Sequence, residues 1–281
     1  MRRVCTGIGR VCTGIAGAAP AVTRPRDNST LLGLAGLAGL LLFLEALPRL
    51  GVVNDAYLPP TSRIAAALAD ELATVEFWQA VRDTLTGWAI GLVIAVSAGV
   101  VAGIVIGAMP VLRAATASTI EFLRPIPSVA LIPLAVLLYG TDLGSVLLLV
   151  VYAAFWQVLV QVLYGVADVD PIADETARSF GFGTWARVRY VLWPTALPYV
   201  FTGIRLGASV ALVLAVTAEL VIGAPGLGKL IAVAQNSGAV PVMYALIAVT
   251  GLLGVAINLA ARFFERRTLA WHQSVRGEVA P

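Results

Sequence analysis

The chain has 281 residues, 59% of them hydrophobic and 12% charged, and its mean hydropathy is +0.90. A soluble domain of this length cannot keep so much apolar surface from water, so the composition points to a chain solvated by lipid. The net charge of +3 is slight and forms no basic cluster on a soluble surface, which excludes nucleic acid as a partner.

Residues 1–27 read as a disordered basic tail or an overextended start. Arg2 and Arg3 precede small and apolar residues as in a secretory signal, but Arg10 interrupts the stretch and no signal core forms. Arg-Val-Cys-Thr-Gly-Ile occurs at 3–8 and again at 10–15, with no heptad of large apolar residues behind it. Cys5 and Cys12 have neither metal-site spacing nor a wider cysteine framework and read as incidental thiols.

A helix needs about 20 apolar residues to cross about 30 Å of hydrocarbon. Six stretches qualify: Leu31–Leu47, with Glu45 near its end; Thr84–Met109; Pro125–Thr141, short and interrupted by Pro125, Pro127 and Pro133; Leu143–Gly165; Ile204–Gly223, with Arg205 and Glu219 near its ends; and Pro241–Ala261. The fold class is therefore an all-α membrane protein with six transmembrane helices over 28–264, followed by a cytoplasmic tail at 265–281. Alternating the spans from a cytoplasmic N-terminus puts fifteen of the nineteen basic residues inside and leaves Arg49, Arg63, Arg82 and Lys229 outside. That is the positive-inside bias, and both termini are expected in the cytoplasm.

Between the first two spans Ile64, Leu68, Leu72, Val75 and Trp78 recur at steps of four or three, as on one face of an amphipathic helix. An outer helix packed on the bundle or resting at the lipid surface is preferred to a binding role. Irregular backbone at membrane depth is tolerated only when buried in protein or lining a cavity, so the proline-rich third span is expected to face the bundle interior or a pore. Pro125, Pro127 and Ser128 are candidate path residues on that ground. Intramembrane charge often marks a pathway. Glu219 is a candidate for the path, and Glu45 a weaker one, because both lie close to the outer boundary. Arg124, placed where the third span meets the cytoplasm, reads as a positive-inside anchor in preference to a contact for an anionic solute, and Arg205 reads the same way.

The segment 166–197, between the fourth and fifth spans, carries the most information. Asp170-Pro171 is a helix start, and Asp174 and Glu175 follow in the first turns, where the helix dipole favours negative charge. Gly181 and Gly183 end that helix, Thr184 is placed to cap a second one through Trp185–Leu192, and Pro194 and Pro198 are expected to break the chain before it re-enters the membrane. A helix–glycine turn–helix on the cytoplasmic face suggests a docking element for a soluble partner.

Here the sequence resembles the permease subunits of ABC importers, which carry a cytoplasmic motif of Glu-Ala-Ala, three residues, Gly, nine residues and Ile-x-Leu-Pro. This chain reads Glu175-Thr176-Ala177, Gly181, Val191, Trp193 and Pro194 in the same spacing, departing at Thr176, Val191 and Trp193. The stretches Leu123–Leu134, Tyr139-Gly140, Pro194–Tyr199, Thr202–Arg205, Ala218-Glu219 and Gly226-Leu227-Gly228 extend the likeness to the nitrate/sulfonate/taurine branch, over roughly residues 58–264. The resemblance implies a type I ABC importer permease fold and a permease homodimer in the lipid bilayer of a bacterial plasma membrane. It also implies a solute-binding protein outside and an ABC ATPase subunit that binds ATP and Mg, leaving no cofactor on this chain. It assigns ATPase docking to Asp174, Glu175, Thr176, Ala177, Arg178, Gly181, Val191 and Pro194. The solute it implies is an aliphatic sulfonate, taurine or nitrate, with a pyrimidine vitamin precursor as the alternative.

Gly223–Lys229 matches most of a phosphate-binding loop, but Leu230 replaces the hydroxyl that should hold Mg and no strand precedes it, so a tight turn is the better reading. An ion-coupled secondary transporter is disfavoured by the lack of a repeat between the halves and of an acid near a span centre. An intramembrane enzyme is disfavoured because the single histidine, His272, lies past the last span and no metal cluster is seen.

Overall fold

A computed structural model describes residues 29–269. The 1–27 tail, the two cysteines, the repeated hexapeptide and His272 lie outside the described residues. The chain divides into two units, Met1–Leu44 and Glu45–Pro281. The described residues are helices and their connections, with no strand among them. Five helices are long and apolar enough to cross a membrane, and a bent pair brings the number to six.

Helix α1 (Ser29–Arg49) carries Glu45 one turn before its end, and that carboxylate accepts hydrogen bonds from Thr61 Oγ1 at 2.7 Å and from the Ser62 N–H and Oγ at 2.9 Å each. Those donors lie in the first turn of α2 (Thr61–Leu72), which has no side-chain cap of its own, so Glu45 caps that helix rather than standing free in an apolar span. The amphipathic face expected from Ile64 to Trp78 is cut in two. Thr74 caps a new helix, α3 (Val75–Ala108), by accepting from Phe77 N–H at 3.3 Å. Ile64 and Leu68 are half-buried, whereas Val75 and Trp78 are 71% and 57% exposed, because the new helix buries Phe77, Ala80 and Val81 instead. Helix α3 starts nine residues before the expected span and, at 34 residues, is about 51 Å long at 1.5 Å per residue.

The third span differs most from expectation. Residues 110–123, read as a cytoplasmic segment, form α4 (Pro110–Leu123), and Pro125–Thr141 is not a continuous helix. A turn through Pro125 and Pro127, whose rings remove two N–H donors, leads into a 3₁₀ segment (Ser128–Leu131) and then α5 (Ile132–Tyr139). The two halves meet at 83°.

Helix α6 (Leu143–Ala167) packs between α3 and α9 (Trp193–Ile222). Gly91, Gly99, Gly103 and Gly107 of α3 face Val150, Val158, Val162 and Val166 in that order, so the two helices run parallel with their C-terminal ends level. A Cβ on any of the four would come within 3.0 Å of its valine. Between α6 and the antiparallel α9, a Cβ on Gly165 would come 2.9 Å from Ala196 Cα, and Gly203 and Gly207 lie against Gln161 and Val158 with less crowding. Small residues at every fourth position let apolar helices approach closely where no hydrophobic force drives them together.

After α6 come α7 (Pro171–Ser179) and α8 (Thr184–Arg187). Thr184 is the first residue of α8 and not its cap; Gly183 occupies that position and no side chain caps the helix. Nor do Pro194 and Pro198 break the chain, since helix continues from Thr184 to Ile222. The residues Val188–Leu192 adopt a π turn, which adds a residue ahead of Pro194 and absorbs its missing N–H. A short helix, α10 (Leu227–Asn236), precedes the last span, α11 (Val240–Thr268), which runs on into the stretch read as a tail. Its Glu265 pairs with Arg205 at 3.4 Å.

Candidate functional site

The 166–197 segment is built around one carboxylate. Asp170 caps α7 by accepting from Ile172 N–H at 2.9 Å, with Pro171 in the first turn as the sequence predicts. Asp174 then receives Arg187 of α8 through Nε and Nη2 at 2.7 and 2.6 Å, and Arg178 of its own helix at 3.0 Å. The hydrogen bonds from Arg187, reinforced by the two positive charges, hold the Asp174 carboxyl below the usual carboxylate range. A bidentate pair of this kind sets the angle between the two helices.

Gly181 ends α7 with φ = +77°. Its N–H donates to Arg178 O at 2.9 Å and the Phe182 N–H donates to Ala177 O at 3.0 Å, the two bonds of a Schellman motif. Ala177 is buried beneath the turn, while Glu175 and Thr176 are exposed. Ile172, Phe180 and Trp185 of the same segment are 73%, 79% and 78% exposed. Asp174, Arg178 and Val191 also line a cavity of about 500 Å³ with Arg113 of α4 and Arg187. Pro194 stands apart from that cavity, at the start of α9. Arg187 was missed in the sequence because its partner is thirteen residues away across a turn, where no helical spacing points to it.

The candidate path residues fall in two places. Pro125, Pro127 and Ser128 form the bend between α4 and α5. Tyr152 Oη donates to Leu123 O at 2.7 Å there, so the bend lies level with Tyr152. Glu219 lies nearer the start of α6, where a cavity of about 350 Å³ is lined by Asp83, Asp142, Leu143 and Glu219 itself. Its carboxylate is 1% exposed and accepts from Thr84 Oγ1 at 2.8 Å and from Gly228 N–H at 3.0 Å. Thr84 Oγ1 in turn accepts from Leu227 N–H at 2.9 Å. The loop that mimics a phosphate-binding sequence thus gives one backbone N–H, that of Gly228, to an internal carboxylate and another, that of Leu227, to the threonine bound to it. Gly226 has φ = +150°, and a Cβ there would fall on that carboxylate.

The comparisons with known proteins agree with this architecture. Residues 73–270 match the model of the binding-protein-dependent transport system inner membrane component family. The chain is 31% identical to the taurine transport system permease protein of Escherichia coli (strain K12), over 90% of this chain and 94% of that one. It is 26% identical to the nitrate import permease protein of Leptolyngbya laminosa, over 69% of each chain. Among solved structures, an inward-facing MetNI methionine ABC transporter chain superimposes with a TM-score of 0.61 at 19% identity, covering 68% of this chain and 95% of that one. The fold is that of a type I ABC importer permease. The chain belongs to the family of binding-protein-dependent transport system inner membrane components.

Proposed function

We propose that this chain is the permease subunit of an ABC importer for a small oxyanion, a taurine-like aliphatic sulfonate or nitrate. Two copies form the translocation path in a bacterial plasma membrane, a solute-binding protein delivers the solute from outside, and a separate ATPase subunit holds ATP and Mg. Both termini and the 166–197 segment face the cytoplasm. The relatives named for taurine and nitrate support the solute class. The orientation rests on charge. Arg124 lies at the bend and leaves the cytoplasmic count, so fourteen of the nineteen basic residues remain on the loop side against four on the other.

The observation that carries the docking role is the Schellman-capped turn at Gly181, which presents exposed Glu175 along with exposed Ile172, Phe180 and Trp185. Asp174, Arg178 and Arg187 brace that surface, Thr176 and Ala177 complete its helix, and Val191 and Pro194 join it to α9. The bend at Pro125, Pro127 and Ser128 lines the path, and Glu219 shapes its outer end. Pull-down with the ATPase subunit tests the reading: the tagged permease retains the ATPase, and retention is lost when residues 171–187 are replaced by a glycine-serine linker. A permease that transports taurine or nitrate in proteoliposomes with no ATPase present refutes it.

A further inference from the structure

The position of Arg124 changes what it can do. Helix α6 begins at Leu143, and Tyr152 lies nine residues along it, about 14 Å from its start at 1.5 Å per residue. Since the whole helix is about 38 Å long, Tyr152 is well inside the bundle, and so is Leu123, whose carbonyl it binds at 2.7 Å. Arg124 follows Leu123 directly. It therefore sits at membrane depth, at the point where α4 stops and the chain turns by 83°. It is exposed, and no carboxylate pairs with it among the described residues.

A guanidinium at that depth is costly against lipid tails and is tolerated where water or an anion meets it. The surrounding backbone gives the same answer, because the break at Pro125 and Pro127 leaves carbonyls that lipid cannot satisfy. Trp156, one turn along α6 from Tyr152 with ring centroids 5.9 Å apart, is 9% exposed and its indole N–H has no acceptor. Tyr152 and Trp156 also line an apolar cavity of about 550 Å³ with Tyr139 and Phe155.

We infer that Arg124 is the selectivity residue of the path: its guanidinium meets the oxyanion group of the solute at the bend, and where the solute is an aliphatic sulfonate the cavity lined by Tyr152 and Trp156 takes its alkyl chain. This rests on the permease reading above and names the residue that recognises charge. A guanidinium offers parallel N–H donors to two oxygens of a sulfonate or nitrate, a geometry that lysine matches in charge but not in shape.

The test uses the permease alone in proteoliposomes and charged thiol reagents. Ser128→Cys, in a background with Cys5 and Cys12 replaced by serine, reacts with an anionic methanethiosulfonate (itself an ethylsulfonate) and with a cationic trimethylammonium analogue. Adding Arg124→Gln lowers the anionic-to-cationic rate ratio about tenfold, the size expected of one unit charge several ångströms away in a partly hydrated site. Arg124→Lys keeps the ratio within about threefold of the arginine value. Arg124→Cys reacts with both reagents, which shows that water reaches the position even if the glutamine variant folds poorly. An unchanged ratio on Arg124→Gln, or a cysteine at 124 that reacts with neither reagent, overturns the inference. Because no ATPase is present, failure of the pull-down leaves this result standing, and failure here leaves docking of the ATPase untouched.

Discussion

Thr84 and Glu219 are 135 positions apart in sequence, and one hydroxyl joins them. Thr84 Oγ1 donates to the Glu219 carboxylate at 2.8 Å and accepts from Leu227 N–H at 2.9 Å, so a single side chain ties α3, the end of α9 and the start of α10. Both residues are buried, at 0% and 1% exposure. In that setting each polar group depends on the others, and loss of one leaves two without partners.

Thr84→Val keeps the shape of the side chain and removes the hydroxyl. It strands the Leu227 N–H and one acceptor site of the carboxylate, at a cost of about 3 kcal/mol. The apparent Tm of the purified protein in detergent falls by about 5–10 °C, while Thr84→Ser stays within about 2 °C. Equal losses for the two variants would show that the clamp is not what holds these helices.

The glycine ladder between α3 and α6 makes a second prediction. A Cβ at Gly103 would lie 2.6 Å from Val162 Cγ1, so Gly103→Ala forces the helices apart and costs about 1–3 kcal/mol. Val162→Ala in the same chain removes the obstructing methyl groups and recovers at least half of the lost Tm. Gly251→Ala on α11, where nothing lies within 4 Å, is neutral or slightly stabilising. If the double variant is no more stable than Gly103→Ala alone, the contact does not control the separation.

Much of this was legible in the sequence. Long runs with no charge, or with charge only near an end, marked five spans because lipid demands them, and Asp170-Pro171 and Gly181 marked both ends of α7 through their backbone preferences alone. The rest depended on tertiary contacts. Glu45 and Glu219, two carboxylates near a boundary that could snorkel or pair with backbone groups, each accept from a backbone N–H, at a helix start that sequence spacing does not identify. Arg124 looked like the edge of a span because the residues before it include Arg113 and Glu121; only the fold shows that α4 is helical and that its last residue, Leu123, is level with Tyr152 of α6. The π turn before Pro194 was hidden for a related reason, since a proline read locally is a break and a neighbouring turn can absorb it.

The Asp174–Arg187 pair makes α7–α8 docking depend on pH in a defined direction. The folded carboxyl titrates below its ordinary value, so its contribution is fully present above that value and is lost as pH falls through the depressed one. Hydrogen exchange of α8 amides, corrected for intrinsic rates, is flat from pH 7 to about 5 and rises only below the usual carboxylate range. Arg187→Gln removes the leading cause of the shift, and the rise then begins at higher pH. A profile that does not move on Arg187→Gln would mean that another group controls it.

Gly181 separates a structural role from a coupling one. Its φ of +77° is a conformation that residues with a Cβ adopt at a cost of about 1–2 kcal/mol. Nothing lies within 4 Å of the position a Cβ would take, so that cost is conformational and no neighbour has to move. Gly181→Asn, which tolerates the left-handed region best after glycine, binds the ATPase within about twofold of the parent. Gly181→Ala weakens binding about tenfold, and Gly181→Val, β-branched, weakens it further. All three insert into the membrane at similar levels, because the turn lies outside the helix packing that stabilises the bundle. The readout is ATPase retained per permease in the pull-down, set against permease abundance in the membrane. If valine binds as well as glycine, or if its defect is loss of protein alone, the turn does not present the docking surface.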